Sequence, residues 1–166
     1  MTGWRHGTPQ DTASVTAIFN YFINNSWAAY NEVPVTSDWT GRFMTRSRVF
    51  YVLEADDRIV GFASLNPFRD AAAFRHTATL TYFLMPQAGG QGRGTQILNR
   101  LENDAARLGI SQLLAHISSR NEQSLAFHRQ RGFHECGRFQ QAGRKWKQYF
   151  DLIWMQKSLD SSPNEP

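Results

Sequence analysis

The sequence predicts an α/β domain with a mixed, partly parallel central sheet flanked by helices. Helical and strand patterns interleave in the second half of the chain, and a helix between two strands forces a crossover connection. Gly89-Gly90-Gln91-Gly92-Arg93-Gly94-Thr95 lies between a β-branched and aromatic run, residues 77–85, and a helical pattern of Ile97, Leu98, Leu101, Ala105 and Leu108. Residues 111–117 have a continuous apolar middle, the mark of a strand covered on both faces.

Thr8-Pro9-Gln10-Asp11 reads as a helix start, with Thr as N-cap, Pro at the first position and an acid at the third. Val15, Ile18, Phe19, Phe22 and Ile23 share one face of that helix, and Asn24-Asn25-Ser26 ends it. Residues 27–36 form an irregular aromatic loop and residues 39–45 a short helix. Residues 49–54 and 58–65 are strands joined by the hairpin turn Ala55-Asp56-Asp57. After a loop over residues 66–73, a third long strand starts at Phe74 or Arg75 and runs to Met85, with Pro86 at its end. A helix over residues 95–108 stops at Gly109, a glycine suited to a left-handed cap. The strand at 111–117, a helix at 121–130 closed by Arg131-Gly132, and a strand pair at 133–139 and 147–155 complete the chain. No internal repeat is visible.

At 166 residues the chain is most simply one domain, residues 1–159, with a polar tail at 160–166. Hydrophobic content of 41%, aromatics of 13% and charged residues of 19% exclude a disordered chain. A net charge of +4 suits an anionic ligand. There is no run of like charges and no basic stripe interleaved with aromatics, so no nucleic-acid partner is expected. Cys136 is the single cysteine, so no internal disulfide forms and a reducing cytoplasm fits. It reads as a core thiol ahead of a catalytic one. The first residues carry no apolar signal segment, and no apolar stretch approaches the ~18 residues of a membrane span. His6, His76, His116, His128 and His134 show no spacing with Cys136 that resembles a zinc site, so no metal is expected.

A strand, a glycine loop and a helix in that order make an anion cradle. Glycine lets the backbone turn its N–H groups to a ligand, and the helix N-terminus adds partial positive charge. A pyrophosphate suits such a cradle, with a ligand-free turn as the alternative. The spacing is not that of a dinucleotide fingerprint, and no lysine follows Gly94 as a P-loop requires.

Further motifs stand in order along the chain: Asn24-Asn25-Ser26 before Glu32-Val33-Pro34, Val60-Gly61-Phe62-Ala63, Phe74-Arg75-His76-Thr77, the glycine loop, and Asn121-x-x-Ser124. Leu125-Ala126-Phe127-His128 then leads to Gly132-Phe133, followed by Gly143-x-Lys145 and Tyr149-Phe150-Asp151. In this order and spacing the chain resembles the GNAT superfamily of acyl-CoA-dependent N-acetyltransferases. It looks closest to the phosphinothricin and methionine-sulfoximine acetyltransferases, over residues 7–159. The resemblance implies a GNAT fold and acetyl-CoA as co-substrate. The pyrophosphate would meet the N–H groups of Gly90, Gln91, Gly92, Arg93, Gly94 and Thr95. The strand Tyr82-Phe83-Leu84 would splay from its neighbour and pair with the pantetheine arm, and Asn121 would hold the cofactor near its thioester. His128 would stand where relatives place a proton donor to the departing thiolate. A strand N–H from Phe83 or Leu84 would serve the oxyanion.

The resemblance also aligns Arg69, Asp70 and Ala71 with the loop that meets the acceptor, Arg69 as a bidentate carboxylate clamp. It gives Arg75 a similar part and places Thr81 at the acceptor. Trp27 and Tyr30, outside the helical pattern, could wall an acceptor pocket, whereas Phe22 and Trp39 read as core. Relatives are often homodimers, and residues 149–155 could contribute to a dimer or belong to the core. Two positions depart from the pattern. Gly89 stands where relatives carry Gln or Arg, which leaves the backbone cradle intact. Thr79 stands where amino-acid-acetylating relatives carry a glutamate, and a hydroxyl is a poor base. Glu32 is the favoured replacement, beside Asp70, or water drains the proton unaided. The expected function is a cytoplasmic, acetyl-CoA-dependent N-acetyltransferase acting on the primary amine of a small amino acid or an analogue of the phosphinothricin or methionine sulfoximine and sulfone type. The other readings are acetylation of a polyamine or a peptide N-terminus, and an acyl-CoA sensor without catalysis.

Overall fold

The computed structural model describes residues 3–159; the polar tail expected at 160–166 lies outside the described residues. Seven strands form one sheet in the order β1-β2-β3-β4-β5-β7-β6. In chain order the elements are β1 (Gly3–His6), α1 (Thr12–Asn25), α2 (Ser37–Arg46), β2 (Val49–Ala55), β3 (Arg58–Pro67), β4 (Thr77–Leu84), α3 (Arg93–Arg107), β5 (Gln112–Ser118), α4 (Glu122–Gln130), β6 (His134–Lys145) and β7 (Gln148–Ser158). All neighbours are antiparallel except β4 and β5, joined through α3. The sheet is mixed, as expected.

The two faces are covered by different helices. Ile97, Leu98, Leu101 and Ala105 of α3 and Leu125 of α4 pack on Ala63, Ala78, Leu80, Leu113, Ala115 and Ile153. On the other face Val15 and Ile18 of α1 pack on Phe50, Val52 and Phe62, with Phe22 and Phe83 alongside. The β2–β3 hairpin turns on Asp56 and Asp57 at φ of 50° and 58°, the left-handed pair that a two-residue hairpin asks for.

Three features correct the sequence reading. The first strand, β1, was not expected; its four residues carry no alternation and gain their conformation by pairing with β2. The last two strands are longer than their apolar pattern, because β6 is a polar edge strand whose irregularities fall between Glu135 and Gly137 and between Phe139 and Gly143. Cys136 on that edge is exposed, not a core thiol. The residues expected at 149–155 do settle into the core in part: β7 lies between β5 and β6, with Phe150, Ile153 and Met155 buried.

The start of α1 is pinned by Asp11. Its carboxylate accepts from the Thr8 N–H at 2.8 Å and from both Arg5 terminal nitrogens, at 2.9 and 2.8 Å. The Arg5 guanidinium is the largest cause that holds the Asp11 carboxyl at about 2. A carboxylate depressed in the folded state stabilises above its unfolded pKa and loses that contribution as pH falls through the folded value. Asp11→Asn is therefore expected to lower Tm at pH 7 by about 2–6 °C, for roughly 1–2 kcal/mol once solvent screening at Arg5 is discounted. The gap to wild type should close between pH 4 and pH 2 in thermal scans; a gap constant with pH would show that the ion pair contributes nothing.

Candidate active site

The parallel pair is short. β4 and β5 are paired only through Thr77↔Gln112, Ala78↔Leu113 and Thr79↔Leu114, while β4 runs on to Leu84 and β5 to Ser118. Beyond Thr79 the strands part and leave a V-shaped gap. Backbone direction within it follows from the β3–β4 ladder. The Met85 N–H donates to the Val60 carbonyl at 2.9 Å, and with an unbroken register the alternate residues Thr79, Thr81 and Phe83 turn their amides to β3. Tyr82 and Leu84 turn theirs to the gap. Of the two residues expected to serve an oxyanion, Leu84 faces the gap, whereas the Phe83 amide is turned to β3.

At the end of the gap stands the glycine loop. Gly90, Gln91 and Gly92 have φ of 75°, 54° and 70°, a succession that turns backbone N–H groups into a concave nest. Among the described residues the N–H groups of Gly90, Gln91, Gly92, Gly94 and Thr95 find no acceptor in the protein. A Cβ on Gly90 or Gly92 would meet nothing within 4 Å, so the cradle opens outward. Gly89 bonds normally, its N–H donating to Pro86, so the missing side chain does not disturb the loop. Arg131, which sequence reasoning passed over as a helix end, reaches back to this loop. Its Nη2 donates to Thr95 Oγ1 at 2.6 Å, and its Nε is buried without a partner among the described residues. Free N–H groups, a helix N-terminus and a guanidinium make a site that fits a pyrophosphate.

On the α3–α4 side of the gap, Asn121 caps α4, its Oδ1 accepting from the Ser124 N–H at 3.2 Å. His128 is buried. Its Nδ1–H donates to the Ser124 carbonyl at 2.7 Å, which leaves Nε2 to accept from the Tyr82 hydroxyl. Burial lowers the imidazole pKa and raises that of the Tyr82 phenol, so the pair is neutral near pH 7. Both ring nitrogens of His128 are thus engaged, and no N–H is left to face a thiolate.

On the opposite face lie Thr79, Thr81 and Phe83, by the two-residue strand period. Asn66 links them to the neighbouring elements, donating to Thr81 Oγ1 at 3.0 Å and accepting from Ser47 and Ser64. Beside Asn66 a cleft of about 470 Å³ is lined by Trp39, Arg42, Phe43, Arg46, Phe68, Arg69 and Asp70. Arg69 and Asp70 are thus brought together with a pair of α2 arginines absent from the sequence reading. Ala71 caps a short turn next to the cleft, and Arg75 is exposed with no side-chain hydrogen bond among the described residues.

The aromatic loop is held against the far strands. Lys145 is fully buried, its Nζ donating to the Ser26 and Ala29 carbonyls at 2.7 Å each. Glu32 Oε1 accepts from the Trp146 N–H at 2.7 Å, which makes the favoured base an anchor of the loop. Trp27 packs edge-on to Trp146 and Phe150. Tyr30 stacks on Phe150 and donates its hydroxyl to the His116 carbonyl at 2.9 Å.

Residues 16–133 match the model of the acetyltransferase (GNAT) family. The chain is 34% identical to the L-methionine sulfoximine/L-methionine sulfone acetyltransferase of Pseudomonas aeruginosa, with 94% of each covered. Among solved structures, a ribosomal-protein-alanine N-acetyltransferase from Brucella melitensis superposes with a TM-score of 0.87 at 35% identity, over 95% of this chain and 99% of that one. A GNAT superfamily phosphinothricin acetyltransferase from Sinorhizobium meliloti, solved in complex with acetyl-CoA, gives a TM-score of 0.88 at 28% identity, over 99% and 94%.

Proposed function

This chain belongs to the acetyltransferase (GNAT) family, and from that premise we propose that it transfers the acetyl group of acetyl-CoA to the primary amine of a small amino acid or amino-acid analogue, of the methionine sulfoximine, methionine sulfone or phosphinothricin kind. The observation that carries this reading is the β4–β5 pairing that ends at Thr79. It opens an edge for an extended arm, with an anion cradle at one end and an arginine-lined cleft beside it. Acetyl-CoA supplies the thioester when bound. The Tyr82 and Leu84 amides, turned away from β3, would donate to acceptors along the arm and to the thioester oxygen as it gains charge. Asn121 orders the start of α4 beside them. His128, with both nitrogens engaged, holds Tyr82 in place as a positioning residue.

The cleft supports an acceptor with an anionic group. Arg42, Arg46 and Arg69 gather there against one carboxylate, Asp70. Arg69 rests beside the Phe68 ring, 5.4 Å from its centroid, leaving its fork free to grip a carboxylate. Arg69→Ala is expected to raise KM for the amino-acid acceptor about tenfold or more with kcat within threefold, since loss of a charge-assisted pair costs about 1.5–3 kcal/mol. An equal loss of kcat, or no loss with the acceptor and a loss with acetyl-CoA, would overturn that assignment.

A cytoplasmic place fits an acetyl-CoA-dependent reaction and a single cysteine. A homodimer is supported by Phe139, Trp146 and Tyr149, which leave 58%, 41% and 53% of their surface exposed on the β6–β7 ribbon. The experiment that tests the function is thiol release from acetyl-CoA with amino acids, their sulfoximine, sulfone and phosphinic analogues, polyamines and a peptide with N-terminal alanine. Release with the amino-acid group supports the reading. Release only with the peptide would favour the second reading, for which the Brucella melitensis structure speaks.

A further inference from the structure

The acceptor amine arrives as an ammonium and must lose a proton before it can attack. Thr79 offers no base, Glu32 is held by Trp146, and Asp70 sits in the exposed loop of the cleft. Among the described residues, a further titratable side chain stands on the acceptor face beside the gap. Thr79 pairs with Leu114, so their side chains share that face, and His116 lies two residues further along β5 on the same side. Its ring therefore starts about 7 Å beyond the last paired position, where β4 has already turned away.

Local geometry fixes how this imidazole is protonated. The β5–β7 ladder turns the His116 amide and carbonyl towards β4, and the parting of the strands leaves that carbonyl without a strand partner. Tyr30 supplies one: its single hydroxyl proton goes to the His116 carbonyl at 2.9 Å. The same phenol oxygen lies 3.1 Å from His116 Nδ1, and with its proton committed it can only accept. Nδ1 therefore carries the hydrogen, and Nε2 keeps a lone pair with no hydrogen-bond partner among the described residues. Trp154 of β7 lies across from the ring, centroids 5.1 Å apart, and Phe68 from the acceptor loop meets Trp154.

We propose that His116 is the general base of the acetyl transfer, accepting through Nε2 a proton from the acceptor ammonium; this rests on the acetyltransferase reading above. The ammonium becomes a neutral amine and the imidazole an imidazolium. The amine forms the C–N bond to the acetyl carbon as the C–S bond breaks. The second proton leaves the nitrogen for the sulfur, and the imidazolium returns its proton to water. Tyr30 is a positioning residue that sets the tautomer. It is also the titratable group packed on the ring; from β7 the neighbour is Trp154, and among the described residues no carboxylate or cation hydrogen-bonds the imidazole. His116 is exposed on one side and packed by Tyr30 and Trp154 on the other; this partial loss of water lowers its pKa and favours the neutral ring at pH 7.

The test is a pH profile of kcat/KM for wild type and His116→Gln with the best amine of the panel, beside the acetyl-CoA Kd and Tm of both. At pH 7 the variant should lose about 10²–10⁴-fold in kcat/KM with its acetyl-CoA Kd within twofold. Wild type should rise through a limb below pH 6.5 to a plateau, and the variant should instead climb steadily towards the pKa of the amine. A loss under tenfold, or an acid limb kept by the variant, overturns the proposal while the acetyltransferase reading stands. Silence of wild type on every amine overturns both. If the variant does not fold, ¹⁵N-histidine spectra of wild type decide: a proton on Nδ1 and an Nε2 signal perturbed by the acceptor are expected, and a proton on Nε2 at pH 7 refutes the assignment.

Discussion

Gly92→Asp is expected to raise the acetyl-CoA dissociation constant about a hundredfold or more while leaving the fold close to wild-type stability. Gly92 sits at φ 70° at the N-cap of α3, with open space where a Cβ would go. Aspartate tolerates the left-handed region better than most residues, so the backbone change costs about 1 kcal/mol. The charge is the large term. A carboxylate set among N–H groups that would otherwise meet a pyrophosphate competes for those donors and repels the ligand. At an effective dielectric of ~20 a like-charge pair a few ångströms apart is worth about 3–4 kcal/mol, enough for a hundredfold. Gly92→Asn separates the causes, since it keeps the shape and removes the charge. It should bind acetyl-CoA within about fivefold of wild type, and added salt should recover part of the loss in the aspartate variant. Calorimetric titration of both checks this. Equal affinities for the two variants would mean that the loop does not hold the phosphates.

Much of this site was legible because its parts are local in sequence. The cradle is a run of glycines between a strand and a helix, and the Asn121 cap and His128 lie on one short helix. What was not legible is set by pairing across the sheet. Phe83 and Leu84 are adjacent in sequence, and only the β3–β4 register assigns one amide to the ladder and the other to the gap. Arg42 and Arg46 had no part in the sequence reading, because only the loop after β3 closes a cleft against them. His116 entered the sequence reading only as one of five histidines without zinc-site spacing. Its meaning depends on the strands parting two residues earlier and on Tyr30, distant in sequence, taking the carbonyl that the parting leaves over. Glu32 shows the converse. A carboxylate in a loop near the acceptor suggests a base, but its contact with the Trp146 N–H forms only when the β6–β7 hairpin is in place.

That hairpin carries the other large effect. Lys145→Met is expected to lower Tm by about 6–12 °C and kcat along with it. The ammonium of Lys145 is buried against the Ser26 and Ala29 carbonyls, with the Trp146 ring 4.3 Å away, and burial lowers its pKa. Replacing a buried ion pair with apolar groups can be neutral, because both charges go together. Here the partners are backbone carbonyls, which no substitution at Lys145 removes. Methionine fills most of the volume and leaves both acceptors without a donor, at roughly 1–3 kcal/mol each and so about 3 kcal/mol with partial relaxation. For a chain of this size that is the stated shift in Tm. Catalysis follows because Lys145 holds the carbonyl of Ala29, the residue before Tyr30, and Tyr30 sets the His116 tautomer. A loop loosened at one end lets the phenol leave the imidazole, so kcat should fall several-fold at temperatures where the variant is fully folded, with acetyl-CoA affinity unchanged. Arginine at the same position keeps the charge but is too large for a fully buried site, so it should not restore either property. A methionine variant with wild-type Tm would mean that water replaces the ammonium between the carbonyls. Wild-type kcat beside a lowered Tm would separate the clamp from the site and leave Tyr30 held by Phe150 and His116 alone.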